Sequence, residues 1–344
     1  MGLRLATYNV EWFSYLFDNA NRLRADGEWS ARYNVTRADQ LGALGIVFTA
    51  LDADAVMVIE APDQGSRRKT VPALEEFARA FGLRTSRAIV GFASETEQEI
   101  ALLYDPDRLT VRHDPKGAIT GKHGAAGSPR FDGVLRFDVD VDAAPELIRF
   151  SKPPLELQAM ANGRALRLVG VHAKSKAPRG ARDANEEMRI AIANRRQQLA
   201  ECVWLRRRVA ASLAAGESVI VMGDFNDGPG LDEYEKLFGH SGIEVVLGID
   251  RPPAEQLYDP HAVMALGRRT GVIPTSARFW LEDQERYFEA MLDYIMVSSD
   301  LAALSPRWRI WHPLNDPGCL KVPELREALL QASDHFPVTL DLPI

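Results

Sequence analysis

The chain has 344 residues, of which 46% are hydrophobic and 26% charged, with a net charge of -7. This is ordinary globular composition with length enough for a large core, and it excludes a molecule that is, as a whole, an electrostatic magnet for nucleic acid. Only two cysteines occur, Cys202 and Cys319, and no apolar run reaches membrane-spanning length. Free thiols in a cytoplasmic protein are therefore expected, with no signal peptide ahead of Leu3.

The first apolar run, 3–10, reads as a buried strand, and 14–35 as a polar, aromatic loop carrying Arg22, Arg24, Arg32 and Tyr33. Thr36 with Asp39 three residues on forms a helix N-cap box, which predicts a helix to about Leu51. A short strand over 55–60 ends in a carboxylate, and a helix over 71–81 follows it. Strand-like runs come next at 84–91, 98–104 and 131–141. Asn162-Gly163 between the runs 155–160 and 165–172 is a hairpin turn signal.

The segment 173–184 is rich in Lys, Arg, Pro and Gly and must be a loop. A long helix is predicted over 185–215, closed by Gly216, with Met188, Ile192, Leu199, Val203, Val209 and Leu213 as its apolar face and Arg206 to Arg208 turned to solvent. A buried strand over 219–222 runs into Gly223-Asp224, and 227–275 reads as irregular. Strands return at 277–281, 293–298, 307–312 and 336–342, with a helix at 323–331. Strands outnumber helices and no linker is visible, so one domain spanning 1–344 is expected.

Apolar strands in this chain repeatedly deliver a polar residue at one end. Asn9 ends the string LRLATYN, Glu60 ends VMVIE, and His172 ends RLVGVH. Asp224 and Asn226 follow a strand in VIVMGDFN, Asp293 opens LDYIMVS, and Asp334 and His335 stand before the last strand in SDH. Any one of these could be a turn or cap residue. Six such clusters are hard to explain as turns alone.

The order Asn, Glu, His, GDFN, LDY and SDH resembles the endonuclease/exonuclease/phosphatase superfamily, across residues 5 to 338. The resemblance implies an α+β fold, a four-layer αββα sandwich of two mixed β-sheets with helices outside and the site where the strand edges meet. It also implies a metal-dependent phosphoesterase. Hydrolysis of a phosphodiester needs charge neutralisation, an activated water and a stabilised leaving oxygen. Mg2+ (or Mn2+) suits carboxylate and amide ligands, and Glu60, Asn9 and Asp334 are the candidate ligands, with Glu11 behind them.

His335 is the candidate base or phosphate-polarising group, since an imidazole titrates near neutrality. By the resemblance Asp293 orients it, while Asp224 and Asn226 hold the attacking water and a phosphate oxygen. Whether Asp224 or His335 removes the proton stays open. His172 stands where abasic-site endonucleases carry tyrosine, which points away from abasic-site repair; a carboxylate near Gln98-Glu99 would support it. Lys174, Lys176, Arg179 and Arg182 after His172, and Arg32 in the early loop, are candidate substrate contacts.

The expected function is hydrolysis of phosphodiester bonds, foremost in DNA or RNA. Phosphatase or phosphodiesterase action on a small phosphorylated molecule or lipid headgroup is the alternative within the enzyme class. A non-catalytic binding module on the same scaffold is the alternative outside it, and a sandwich whose polar strand ends are mere caps is the plainest reading. No obligate protein partner is expected.

Overall fold

The structure, a computed structural model, describes residues 2–137, 146–178, 180–228, 239–267 and 273–344. Sixteen strands form among the described residues: β1 (Leu3–Asn9), β2 (Ala55–Ala61), β3 (Arg87–Val90), β4 (Glu99–Tyr104), β5 (Thr110–His113), β6 (Leu135–Phe137), β7 (Glu146–Ile148), β8 (Leu155–Ala161), β9 (Arg164–His172), β10 (Val219–Asp224), β11 (Leu257–Tyr258), β12 (Ala277–Leu281), β13 (Arg286–Ala290), β14 (Asp293–Ser298), β15 (Arg307–Ile310) and β16 (Val338–Leu342). One six-stranded mixed sheet has the order β15-β16-β1-β2-β4-β3, and a second has the order β11-β14-β10-β9-β8-β5. Strands β12 and β13 form a separate hairpin.

Period-two alternation decides what each sheet face buries. In β1, Leu3 and Leu5 point into the core between the sheets, while Ala6 and Tyr8 face the helices outside. In β10, Ile220 and Met222 point inward and Val219 and Val221 outward. The inter-sheet core thus gathers Leu5, Met57, Ile59, Leu168, Ile220, Met222 and Ile295, all fully buried. Each such side chain contributes about 1.5–3 kcal/mol by leaving water.

Helices α1 (Arg37–Leu51) and α2 (Thr70–Ala80) and the helix Pro323–Ala332 cover the first sheet through Leu44, Phe48, Phe77 and Leu329. Helix α3 (Ala184–Ala214) covers the second through Trp204, Leu205 and Val209. The result is the four-layer αββα sandwich that the family resemblance implies. The Thr36–Asp39 capping box starts α1. The Asn162-Gly163 turn joins β8 to β9 with both residues at positive φ, 48° and 79°.

Several expectations need correction. Strands β5, β7 and β13 escaped the sequence reading, being short and largely surface-facing. The stretch read as irregular contains the helices Gly242–Leu247 and Pro260–Leu266, each begun by a side-chain cap, Ser241 and Asp259. The run expected over 131–141 is a strand only at Leu135–Phe137, and its remainder from 138 lies outside the described residues.

The buried face of α3 only partly matches the one expected, with Val209 buried and Leu213 packed against the core. Met188 is 51% exposed, whereas Arg195, Gln198, Glu201 and Arg208 are buried. Arg208 does not face solvent: it donates to Glu156 at 2.5 and 2.6 Å, and Arg195 to Asp227 at 3.0 Å. The two arginines occupy a buried helix face because each finds a buried carboxylate across the interface, whereas Glu201 accepts the Lys174 N–H.

Candidate active site

The strand ends named above meet at one edge of the sandwich, and alternation explains why. Asn9 continues the inward series Leu3, Leu5, Thr7 of β1, Asp224 continues Ile220 and Met222, and Asp293 precedes Ile295 and Val297. Strand pairing sets Asp224 opposite both Asp293 and His172. Across the two sheets, Asn9 Nδ2 donates to Asp224 Oδ2 at 3.0 Å.

Gly223 makes this approach possible. It sits at φ 144°, and a Cβ there would lie 1.9 Å from the Val171 carbonyl oxygen. A side chain at this position would push β10 away from β9 and carry Asp224 with it.

Glu60 reaches the site by a different device. The pairing of β2 with β4 shifts register between Ile59 and Ala61, and Glu60 takes φ 61°. The bulge returns Ala61 to the outer core while Glu60 Oε2 accepts the Trp12 N–H at 3.1 Å. Glu11, Trp12 and Asn226 also have positive φ. Such conformations cost free energy and persist where surroundings enforce them, which is common at functional sites.

Among the described residues Asp224, Asp293 and His335 form a compact buried group, with one side-chain ligand atom of each within 4.8 Å of the others. His335 Nδ1 bonds Asp293 Oδ2 at 2.8 Å, and that oxygen also accepts the Ser276 hydroxyl at 2.8 Å. Asp293 therefore fixes the ring, leaving His335 Nε2 to face Asp224 Oδ2 at 3.9 Å. Asn226 caps the other carboxylate oxygen, its N–H donating to Asp224 Oδ1 at 2.7 Å. Asp334 lies with its Oδ1 4.0 Å from His335 Nε2.

His172 Nε2 lies 3.7 Å from Asp224 Oδ2 and 3.2 Å from Lys152 Nζ. The supporting carboxylate sought near Gln98-Glu99 is not its neighbour. Glu99 instead accepts the backbone N–H groups of Gln64 and Ser94. Lys152 escaped the sequence reading. Its one signal is the string SKPPL, a lysine held ahead of two prolines at the mouth of β8.

The two imidazoles are driven apart electrostatically. Burial opposes charge on His335, but the Asp293 and Asp224 carboxylates outweigh it and hold the ring well above its ordinary value. Burial, then Lys152 and His335, hold His172 well below it. The two rings are thus pushed in opposite directions, His335 toward its charged form and His172 toward its neutral one. Burial pushes the Asp224 carboxyl up, against the pull of His335 and with the help of Asp293. Burial also lowers Lys152, although Glu60, Asp224 and Glu201 draw it back toward the charged form.

The candidate substrate contacts are more committed than expected. Arg32 pairs with Glu11, whose Oε2 also accepts the Asp334 N–H at 3.2 Å, and donates to the Leu330 carbonyl. Lys176 pairs with Asp227 at 2.6 Å and Arg22 with Asp18 at 2.8 Å. Lys174 is half-buried beside the site, and Arg179 lies outside the described residues. Glu60, Asp334 and the Asn9 amide oxygen are, by their chemistry, donors that fit a hard divalent cation: two carboxylates, an amide oxygen and no thiolate. Asp334 Oδ1 is buried without a hydrogen-bond partner, as an oxygen kept for a cation would be.

A profile of the Endonuclease/Exonuclease/phosphatase family matches residues 6–335. Truncated TDP2 from Caenorhabditis elegans aligns over 100% of this chain and 98% of its own, at 13% identity and a TM-score of 0.52. D. rerio TDP2 complexed with single strand DNA product aligns over 100% and 99%, at 12% identity and a TM-score of 0.50. At these identities the likeness speaks for the fold. No curated protein sequence matches the chain significantly.

Proposed function

This chain belongs to the endonuclease/exonuclease/phosphatase family and is a phosphoesterase; we propose that it is a divalent-metal-dependent hydrolase of phosphodiester bonds, acting on DNA or RNA. The observation that carries this reading is the joining of Asn9, Asp224, Asp293 and His335 by two side-chain contacts, of 3.0 and 2.8 Å, across both sheets. Caps would be scattered. The shared inter-sheet core and a site built from both sheets support one domain over 1–344. Two buried free cysteines fit a reducing, cytoplasmic setting, and among the described residues no helix is long and apolar enough to cross a membrane.

Glu60, Asn9 and Asp334 would hold Mg2+ or Mn2+, which when bound neutralises charge on the phosphate. Asp224, with Asn226 fixing its orientation, positions the attacking water and takes its proton. His335, drawn toward its charged form by Asp293 and Asp224 against the effect of burial, would donate from Nε2 to a non-bridging oxygen. His172 and Lys152 lie beside Asp224, His172 Nε2 3.7 Å from its Oδ2, where the Lys152 ammonium would offer positive charge to the leaving oxygen. Hydrogen bonds aimed at developing charge in a buried site are the largest source of such rate enhancement.

Lys174, whose ammonium makes no ion pair among the described residues, supports a polyanionic substrate. The pairing of Arg32 with Glu11 and of Lys176 with Asp227 favours instead a small phosphorylated molecule as second reading. A panel of single- and double-stranded DNA, RNA, an aryl phosphodiester and inositol phosphates, with Mg2+ or Mn2+, separates the two. Asp224→Ala and His335→Ala are each expected to lower kcat by about 10²–10⁴ with an unchanged circular dichroism spectrum. Near-full activity in either variant would refute the assignment.

A further inference from the structure

Beyond Asn9 the chain leaves β1 through a turn in which Glu11 and Trp12 take φ of 42° and 59°. This left-handed turn touches each residue proposed to hold the cation. The Glu11 N–H donates to Asn9 Oδ1 at 3.1 Å and the Trp12 N–H to Glu60 Oε2 at 3.1 Å, while Glu11 Oε2 accepts the Asp334 N–H at 3.2 Å. Such backbone costs free energy and persists only where its surroundings enforce it.

Two side chains from other elements supply that enforcement. Arg32 spends its terminal nitrogens on the Glu11 carboxylate and on the Leu330 carbonyl, the latter at 3.1 Å. Gln40, fully buried in the first turn of α1, donates from Nε2 to the Glu11 carbonyl at 3.3 Å and to the Ala332 carbonyl at 3.0 Å. Both therefore tie Glu11 to the C-terminal end of the helix Pro323–Ala332, which leads directly into Ser333 and Asp334. Ser333 Oγ adds a bond to the Asn9 carbonyl at 2.8 Å, and the Arg278 N–H donates to the Asp334 carbonyl at 2.7 Å. The Asp334 backbone is thus pinned on both sides, while its side-chain Oδ1 keeps no hydrogen-bond partner.

We propose that Arg32 and Gln40 are positioning residues: by pinning Glu11 to the end of the helix Pro323–Ala332, they hold Asn9, Glu60 and Asp334 in the arrangement that takes a divalent cation. The proposal rests on the metal-site reading of those three residues and adds the contacts that orient them. It also moves Arg32 from the substrate to the support of the ligands. The loop 14–35 and helix α1 then act on the reaction through cation affinity, without touching substrate.

Calorimetric titration of the full chain with Mn2+ alone, well below the melting temperature, tests this. Arg32→Lys keeps the charge but replaces a two-armed donor by a point donor, which cannot serve Glu11 and Leu330 together. Gln40→Met keeps size and neutrality and removes both of its bridges. Neither variant changes the net charge, so a change in affinity reads geometry. Each is expected to raise the Kd for Mn2+ about tenfold, since outer contacts that orient metal ligands are typically worth about 10–100-fold. Turnover is expected to recover at saturating Mn2+. Should Gln40→Met fold poorly, Arg32→Lys carries the test alone. A lower Tm in chelator with Mn2+ affinity unchanged makes both residues merely structural and overturns the proposal. An Arg32→Lys variant that binds Mn2+ as the parent does and shows a raised substrate KM makes Arg32 a substrate contact, and overturns it too. Glu60→Gln is the control: a parent that binds no Mn2+, or binds it as tightly without the Glu60 charge, defeats the metal-site reading itself and the proposal with it.

Discussion

At the scale of single residues, the chemistry turns on which atom each carboxylate already holds. Asp293 holds Ser276 and the His335 ring on one oxygen, so the role proposed for it is to orient and charge an imidazole. Asp293→Asn keeps the shape and removes the charge. A fall in kcat of at least about a hundredfold with KM within a few fold is expected from steady-state kinetics. Lys152, 3.2 Å from His172, is a cation at a site whose substrate is an anion. Lys152→Met is expected to lower kcat/KM by about 10–100-fold, and an unchanged value would remove it from the site.

At the scale of elements, helix α3 departs from a simple amphipathic stripe because ion pairs of Arg195 and Arg208 are set into its buried face beside Trp204, Leu205 and Val209. Removing one partner leaves the other charge buried. Arg208→Met is thus expected to destabilise by about 3–5 kcal/mol in denaturant melts, through the stranded Glu156. Glu201 on the same helix accepts the Lys174 N–H at 2.8 Å, and burial pushes its carboxyl from 4.5 up to about 7. Because the folded value lies above the unfolded one, protonation favours the fold. That contribution is full below about 4.5 and is lost as pH rises through about 7. Glu201→Gln, neutral throughout, should therefore gain stability over the parent between pH 5 and pH 8, by at most about 3 kcal/mol. A difference that does not change with pH would contradict the burial of an ionisable Glu201.

At the scale of the whole molecule, the site exists only because two sheets press their strand ends together. Asn9 from the first sheet and Asp224 from the second touch at 3.0 Å, and Glu60 joins through the bulge in β2. A cation held by Glu60, Asn9 and Asp334, all at or near strand ends of the first sheet, would stabilise the folded state by mass action. Mg2+ or Mn2+ is expected to raise Tm, a chelator to reverse the rise, and Glu60→Gln to blunt it. The readout is thermal melting, independent of turnover, and an identical shift in the variant would place the cation elsewhere.

Much of this was legible in the chain itself. Apolar runs bounded by Asn9, His172, Asp224 and Asp293 announce strands with polar tips, because alternation is a local property of the backbone, while the meeting of those tips is not local. The capping box at Thr36 and the Asn162-Gly163 turn are equally local. Lys152, the bulge at Glu60 and the commitment of Arg32 to Glu11 were not legible. Each depends on what another segment places alongside, from 11 in the case of Arg32 to 172 in the case of Lys152. Sequence thus determined which residues the strands carry to their ends and the kind of reaction such groups support. Tertiary structure alone decided which charges are left to act, since a side chain's partner, burial and proton affinity are set by contacts between segments far apart in the chain.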